Sequence, residues 1–413
     1  MDEQNRLIFH IDVNSAFLSW ESAKRVKEGK GQQDLRQIAA VIGGSEEERH
    51  GIVLAKSTKA KQYGIKTGEP LAQARRKCPS LVIAPPDFPL YVEMSRKFIE
   101  LLRRYAPVVE QYSIDEAFCD MSGTKALYGE PKDFAFRLKQ QIYEELGFTV
   151  NIGISTNKLL AKMASEFEKP DKVHTLFPNE IVGRLWPLPV NELFFVGPST
   201  ARKLKDLGIR TIGELAETDQ TFLTTHFKKH GSVIWNYANG FDSSPVVKED
   251  PDNKGYSNSL TIQFDVTERD TACRILLSLC ETIGTRLRKD GFYISVVAIS
   301  IVDSEFHSSS RQMTLSDSTN ITERIYQEAC VLFDHCWNHN PIRQLGVSTS
   351  HAVHSAYEQI HLFDSKKYDK LSRLNFAIDH IRSRYGEDAV QRACFIGSEH
   401  THMTQGMSRA KRL

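Results

Sequence analysis

Three acidic side chains carry the first chemical signal in this sequence. Asp12 ends an apolar run, Leu7-Ile8-Phe9-His10-Ile11-Asp12-Val13, and Asp115 and Glu116 are adjacent within Tyr112-Ser113-Ile114-Asp115-Glu116-Ala117-Phe118. Neighbouring acids in an apolar setting are costly to bury unless a cation offsets their charge. Hard carboxylate oxygens suit Mg²⁺, and two such ions about 3.5–4 Å apart can clamp the attacking and leaving oxygens of an in-line displacement at phosphorus. An isolated Asp-Glu pair is more often a solvated surface pair. The apolar flanks argue against that here, without naming the reaction.

The elements that must position these acids follow from the apolar pattern. Residues 7–13 read as a buried strand, followed by a helix over about 15–27. Residues 36–43 and 51–55 read as two short strands, and a helix begins near Ser57. A helix over 91–105 precedes two short strands within 108–121 that bracket Asp115 and Glu116. Then come a helix over 132–146, a strand over 148–154 and a helix over 158–167. Strand–helix–strand–strand–helix–strand is the plan of a ferredoxin-like layer, interrupted by a small lobe over 19–86. Residues 176–242 read as short helices, and the charged stretch 243–255, with Pro and Gly, suits a linker. A second series of the same plan runs from 256 to 354, and the tail 355–413 holds one amphipathic helix near 366–384. The fold class is α+β.

A chain of 413 residues exceeds one core. It has 40% hydrophobic and 25% charged residues. No stretch is as long and apolar as a membrane span, and the N-terminus lacks the plan of a secretion signal, so a cytoplasmic protein with no membrane partner is expected. A net charge of +1 neither suggests nor excludes nucleic acid; local clusters such as Lys56, Lys59, Lys61 and Lys66, or Arg202, Lys203 and Lys205, are weak indications. Seven cysteines without a CxxC pair read as small buried hydrophobes rather than zinc ligands or disulfides.

Four ordered motifs supply the identification. Ile11-Asp12-Val13-Asn14-Ser15-Ala16-Phe17, the Tyr63-Gly64-Ile65-Lys66-Thr67-Gly68 run, Ser113-Ile114-Asp115-Glu116-Ala117, and Asn151-Ile152-Gly153-Ile154-Ser155-Thr156-Asn157-Lys158 with Ala161-Lys162-Met163-Ala164-Ser165 and Lys169-Pro170 resemble the catalytic core of the Y-family, translesion DNA polymerases. The resemblance extends, more weakly, to about residue 355. It implies a right-hand polymerase: a ferredoxin-like palm (1–18 and 87–175), small fingers (19–86), a helical helix–hairpin–helix thumb (176–242), a linker (243–255), a second ferredoxin-like little finger (256–354) and a tail (355–413). It further implies low-fidelity, template-directed DNA synthesis past lesions with two Mg²⁺ ions and no proofreading. The metal ligands would be Asp12, Asp115 and Glu116 with the Val13 carbonyl. Phe17 would be the steric gate against a 2′-hydroxyl, and Lys162 would contact the triphosphate of the incoming deoxynucleotide. On residue type alone, Phe17 would read as a core residue beside Trp20, and Lys162 as a solvated lysine.

Departures are informative. Where many members place Tyr and Arg on the triphosphate, this chain has Thr58 and Lys61. Lysine pairs with phosphate as a point charge without the bidentate fork, so nucleotide affinity should be weaker, or be supplied partly by Lys56 or Lys59. Ile52 and Leu54 fall where smaller residues often roof the nascent pair, which implies easier bypass of compact lesions than of bulky adducts.

Two further segments point to partners. Phe195-Val196-Gly197-Pro198-Ser199-Thr200, then Leu207-Gly208-Ile209, reads as a helix–hairpin–helix whose glycine turn offers backbone N–H groups to phosphates of primed template DNA; Thr211 and Glu214 predict a capping box. In the second layer Ser257, Ser259, Ser308, Ser309, Ser310, Arg311 and Thr314 would meet DNA. Gln359-Ile360-His361-Leu362-Phe363 resembles the peptide by which bacterial polymerases dock on the sliding clamp, with Gln359 fixing register and Leu362 and Phe363 filling an apolar groove. Two rivals remain: another two-metal palm enzyme such as a nucleotide cyclase, and a non-catalytic DNA- and clamp-binding protein on a polymerase fold.

Overall fold

The computed structural model describes residues 6–29, 33–45, 51–248, 252–354, 365–396 and 402–403. Among these, residues 6–44 and 52–248 form one compact unit and residues from 252 onward a second. The first unit carries β1 (Ile8–Val13), β2 (Ala40–Gly43), β3 (Val53–Lys56), β4 (Val82–Ala84), β5 (Val108–Gln111), β6 (Glu116–Asp120), β7 (Val150–Ser155) and β8 (Val173–Thr175). Five of these make one sheet in the order β5-β6-β1-β7-β8. The period of two along a strand then sorts its side chains. Phe9, Ile11 and Val13 of β1 join Ala117 and Cys119 of β6 in a large apolar core, which leaves Ile8, His10 and Asp12 for the other face.

Helices Ala16–Glu28, Phe88–Leu102 and Pro131–Leu146 cover the core face and contribute Trp20, Phe98 and Phe134. The first of these runs unbroken across position 18/19, the expected palm–fingers boundary, and Leu18 and Trp20 are fully buried in a core that also takes in Ala40, Ile42 and Ala84 of the small lobe. Helix Lys158–Glu166 packs on β7 and β1. A Cβ on Gly153 would sit 1.9 Å from the carbonyl oxygen of Ala161, so glycine in β7 is what lets this helix approach so closely.

The remaining strands of this unit form a small sheet, β3-β2-β4, with a separate core of Val41, Val53 and Leu71. Beyond β8, short helices bury Leu185, Leu204, Ile212 and Leu223 against Leu160 and Met163. The expected capping box is present: Thr211 accepts from the Glu214 amide at 3.1 Å, and Glu214 accepts from the Thr211 amide at 3.0 Å.

The second unit carries β9 (Ser257–Val266), β10 (Ile294–Asp303), β11 (Ser308–Thr319) and β12 (Ile342–Ser350), with helices Arg269–Asp290 and Thr322–Cys336. The two units share the strand–helix–strand–strand–helix–strand plan but not the strand order. In the first unit the opening strand β1 is interior; in the second, β11-β10-β12-β9, the opening strand β9 is an edge. Helix Ser365–Tyr385 and the residues after it dock through charge pairs. Arg382 donates to Glu281 at 2.8 Å with both side chains 4% exposed, and Arg392 bridges Glu281 and Glu323 at 2.5 Å each. Six of the cysteines are buried or half-buried, Cys394 is exposed, and all are free.

Candidate active site

The register of the sheet sets the chemistry. Asp12 is the Cα partner of Glu116 across β1 and β6, and of Asn151 across β1 and β7. The β1–β6 pairing continues one residue further, where the Val13 amide donates to the Asp115 carbonyl at 3.0 Å. The two motifs, far apart in sequence, therefore meet at neighbouring strand ends. The turn before β6 is shaped by Ser113, whose hydroxyl donates to Asp115 Oδ1 at 2.7 Å and accepts from the Glu116 amide at 3.1 Å.

Each acid has a different electrostatic setting. Burial pushes the Asp12 carboxyl up to about 7, against the pull of Lys169, whose ammonium donates to Asp12 Oδ2 at 2.5 Å. Burial also raises Asp115, with the neighbouring Glu116 charge adding to it and the Ser113 hydrogen bond opposing. Glu116 goes the other way: burial works to raise it, but the hydrogen bond with His10 and the charge of Lys162 hold it down to about 2. His10, fully buried, lies with Nε2 3.2 Å from Glu116 Oε2 and Nδ1 2.7 Å from the Ser165 hydroxyl, and burial keeps its basicity low. Lys162 pairs with Glu116 and lies over the rings of Tyr112 and Phe194 at 5.2 and 5.4 Å.

A cleft of about 400 Å³ is lined by Asp12, Val13, Phe17, Thr58, Lys61 and Asp115, together with Leu54, Lys56, Thr67 and Lys169. Glu116 and Lys162 sit beside it, outside its lining, paired with each other. Of the two roof candidates only Leu54 reaches the cleft; Ile52 is exposed and bridges to Pro70. Of the supplementary lysines Lys56 lines it and Lys59 does not. Phe17 lines the cleft and stacks on Tyr91 at 4.5 Å and 8° between ring planes. A larger cavity of about 930 Å³, lined by Lys24, Met94 and Tyr143 among others, contains none of these residues, so size does not mark the site.

Among the described residues, no three His, Cys, Asp or Glu side chains converge into a ready-made metal cage. Mg²⁺ keeps several waters and is held by one or two carboxylates plus substrate phosphates. The donor set of hard oxygens, with two carboxyls raised by burial, fits such an ion.

Gly197 and Ser199 are exposed at the start of helix Pro198–Asp206, which has no side-chain cap. Arg311 lies on edge strand β11 and reaches the His335 carbonyl at 3.2 Å. Ser257 and Ser259 lie on β9, the opposite edge of that sheet. Gln359, Leu362 and Phe363 fall outside the described residues. Sequence reasoning missed His10, Lys169 and Asn151. His10 was available from the two-residue period, being on the Asp12 face. Asn151, whose amide caps the Ser165 and Glu168 carbonyls at 2.9 and 2.7 Å, and Lys169 depend on long-range register.

A carboxylate-bearing mixed sheet, a small second sheet over the same cleft and a helical hairpin module together define a right-hand polymerase. The impB/mucB/samB family description matches residues 11–166, its C-terminal domain residues 253–362, and its helix–hairpin–helix motif residues 180–209. DNA polymerase IV of Clostridium acetobutylicum is 45% identical over 96% of this chain and 99% of its own. DNA polymerase IV of Acetivibrio thermocellus is 37% identical over 95% of this chain and 98% of its own. In structure, a solved Y-family DNA polymerase chimera matches with a TM-score of 0.72 at 21% identity, covering 84% of this chain and 100% of that one. The chain belongs to the impB/mucB/samB family of bacterial Y-family DNA polymerases, and it is a DNA-directed DNA polymerase.

Proposed function

We propose that this polymerase extends primers across damaged template at low fidelity, by two-metal nucleotidyl transfer and without proofreading. The observation that carries this reading is the single cleft that joins Asp12, Val13 and Asp115 to Phe17, Thr58 and Lys61. Asp12, Asp115 and Glu116, with the Val13 carbonyl, hold the divalent ions, assigned as Mg²⁺. Such ions, when bound, lower the pKa of the primer 3′-hydroxyl and offset the charge of the triphosphate. Phe17 excludes a 2′-hydroxyl, its ring braced by Tyr91. Lys61, Thr58 and Lys162 bind the triphosphate, Lys162 exchanging its Glu116 partner for phosphate. With Leu54 as the roof residue that reaches the cleft, selectivity falls mainly on base pairing. Compact lesions should pass more easily than bulky adducts, and comparable bypass of a bulky guanine adduct by wild type and Leu54→Ala would contradict this.

The domain assignment that accompanies this reading is palm 1–18 and 87–175, fingers 19–86, thumb 176–242, linker 243–255, little finger 256–354 and tail 355–413. The Gly197–Ser199 turn and Arg311 hold DNA phosphates, and Gln359, Leu362 and Phe363 dock on the sliding clamp, which raises effective concentration at the primer end and at the nucleoid. Undiminished clamp binding by Leu362→Ala with Phe363→Ala would remove the clamp assignment.

The deciding experiment is primer extension with dNTPs and Mg²⁺ on intact and lesion-bearing templates, comparing wild type with Glu116→Ala. Extension past the lesion by wild type alone, with a mispaired primer end left unexcised, is the expected result. A folded, DNA-binding wild type that cannot extend would favour the non-catalytic reading.

A further inference from the structure

We propose that Phe195 is a DNA-contacting residue, its ring held at the mouth of the hairpin to lie against a deoxyribose of the primer–template duplex. The inference rests on reading residues 195–209 as a duplex grip, and goes beyond it by assigning an apolar contact. Phe195 adopts φ +76°, a left-handed backbone that is a genuine outlier for a bulky residue and carries strain of a kind that clusters at functional sites. Burial does not offset that strain, because Phe195 is 56% exposed.

The ring is nevertheless fixed in direction. It meets Phe194 at 5.2 Å and Tyr237 at 5.9 Å edge-on, and His230 at 6.2 Å. Two residues later Gly197 opens helix Pro198–Asp206, whose first turn has no side-chain cap, and Ser199, Arg202 and Lys203 on that helix are exposed. An exposed ring beside uncapped N–H groups and cations reproduces the alternation of a nucleic-acid backbone, sugar then phosphate. The same aromatic path leads back to the chemistry: Phe194 contacts Tyr112 at 6.4 Å, and Lys162, the partner of Glu116, lies over both. A duplex seated on Phe195 would therefore be registered with the carboxylates through a continuous packed strip.

The test compares full-length Phe195→Gly, Phe195→Tyr and Ser199→Glu with wild type, measuring melting temperature, affinity for a fluorescent primer–template and its salt dependence, and steady-state extension. Phe195→Gly should raise Tm by roughly 2–4 °C, because glycine accepts the backbone without strain. It should also weaken primer–template binding about five- to thirtyfold, as expected for a lost aromatic contact. The salt slope should be unchanged, because no phosphate contact is removed. Phe195→Tyr should bind as wild type does. Ser199→Glu, which sets a negative charge at the turn, tests the grip itself. If it weakens binding while Phe195→Gly binds normally, the hairpin meets DNA and the ring does not, which overturns the proposal. If neither changes affinity, the grip reading fails and takes the proposal with it. A fall in Tm for both Phe195 variants would mark the ring as core packing and also overturn it.

Discussion

Lys169 Nζ lies 2.5 Å from Asp12 Oδ2 and 2.8 Å from Glu166 Oε1, so a lysine stands beside the acid whose burial most calls for a cation. Lys169 therefore acts as an internal counter-charge to the site. At pH 8 and without divalent metal, Lys169→Met should destabilise the protein by on the order of 1–2 kcal/mol, the pair being partly screened by solvent. Added Mg²⁺ should then raise Tm more in the variant than in wild type, since ligand that binds only the folded state stabilises it. Calorimetry in both conditions checks this, and equal Mg²⁺ shifts in the two proteins would refute it.

Phe17 carries two loads that substitution should separate. Its ring stacks on Tyr91 and also approaches Trp20 at 6.0 Å and Phe88 at 6.3 Å, so Phe17→Ala should lower stability by about 1–3 kcal/mol, less than for a fully buried phenylalanine. The same change opens the cleft where a 2′-hydroxyl would collide, so discrimination against ribonucleotides should fall by roughly 10–200-fold. Phe17→Leu should recover part of the stability and little of the discrimination. Single-nucleotide insertion with paired dNTP and rNTP, alongside thermal melts, measures both.

How much of this was legible in the chain depends on the range of the interaction. Asp12, Asp115 and Glu116 could be found because a strand that ends in an acid, and an acid pair between apolar residues, are local patterns. That Glu116 rather than Asp115 is the Cα partner of Asp12 is a matter of register, which no local pattern specifies. The same limit explains the strand orders: both layers show the same element series, but whether the opening strand ends up interior or at an edge is decided by pairing between distant segments. Such pairing also sets Ser257 and Arg311, both expected to meet DNA, on opposite edge strands of their sheet. Lys162 was placed by its motif on the triphosphate, whereas in the protein alone it answers the nearest buried charge, Glu116. Helix Ala16–Glu28 spans the expected boundary at 18/19 without a break, a continuity that only the helical period, not a composition shift, could have signalled.

The lysines of the small sheet should divide by position. Lys56 and Lys61 line the cleft and Lys59 does not, and burial together with the Lys61 charge lowers the pKa of Lys56. With the shorter Thr58 beside them, these two supply the cationic surface that would meet triphosphate as point charges. Lys56→Ala and Lys61→Ala should each raise the KM for dNTP about five- to tenfold with kcat nearly unchanged, the mark of lost uniform binding. Lys59→Ala should leave both constants as they are. A rise in KM for Lys59→Ala equal to the others would show that the cleft lining does not define the triphosphate site.

The docked tail should be acid-sensitive, and the sign follows from Glu323. Burial works to raise its carboxyl, but hydrogen bonds from Arg392 and Asn375 win and hold it below the ordinary 4.5. A carboxyl depressed in the folded state favours folding above its unfolded pKa, and that contribution is lost as pH falls through the folded value. Glu323 accepts from Arg392 at 2.5 Å and from the Asn375 amide at 2.8 Å, so its protonation loosens the junction between helix Thr322–Cys336 and helix Ser365–Tyr385. Attachment of the tail should therefore be stable above about pH 4.5 and weaken progressively below it. Glu323→Gln keeps the shape and removes the charge: it should cost about 1–2 kcal/mol at pH 7 and flatten the acid dependence. Limited proteolysis of the region after residue 365 across pH 3–7 reads this out directly. Equal acid sensitivity in wild type and Glu323→Gln would refute this assignment.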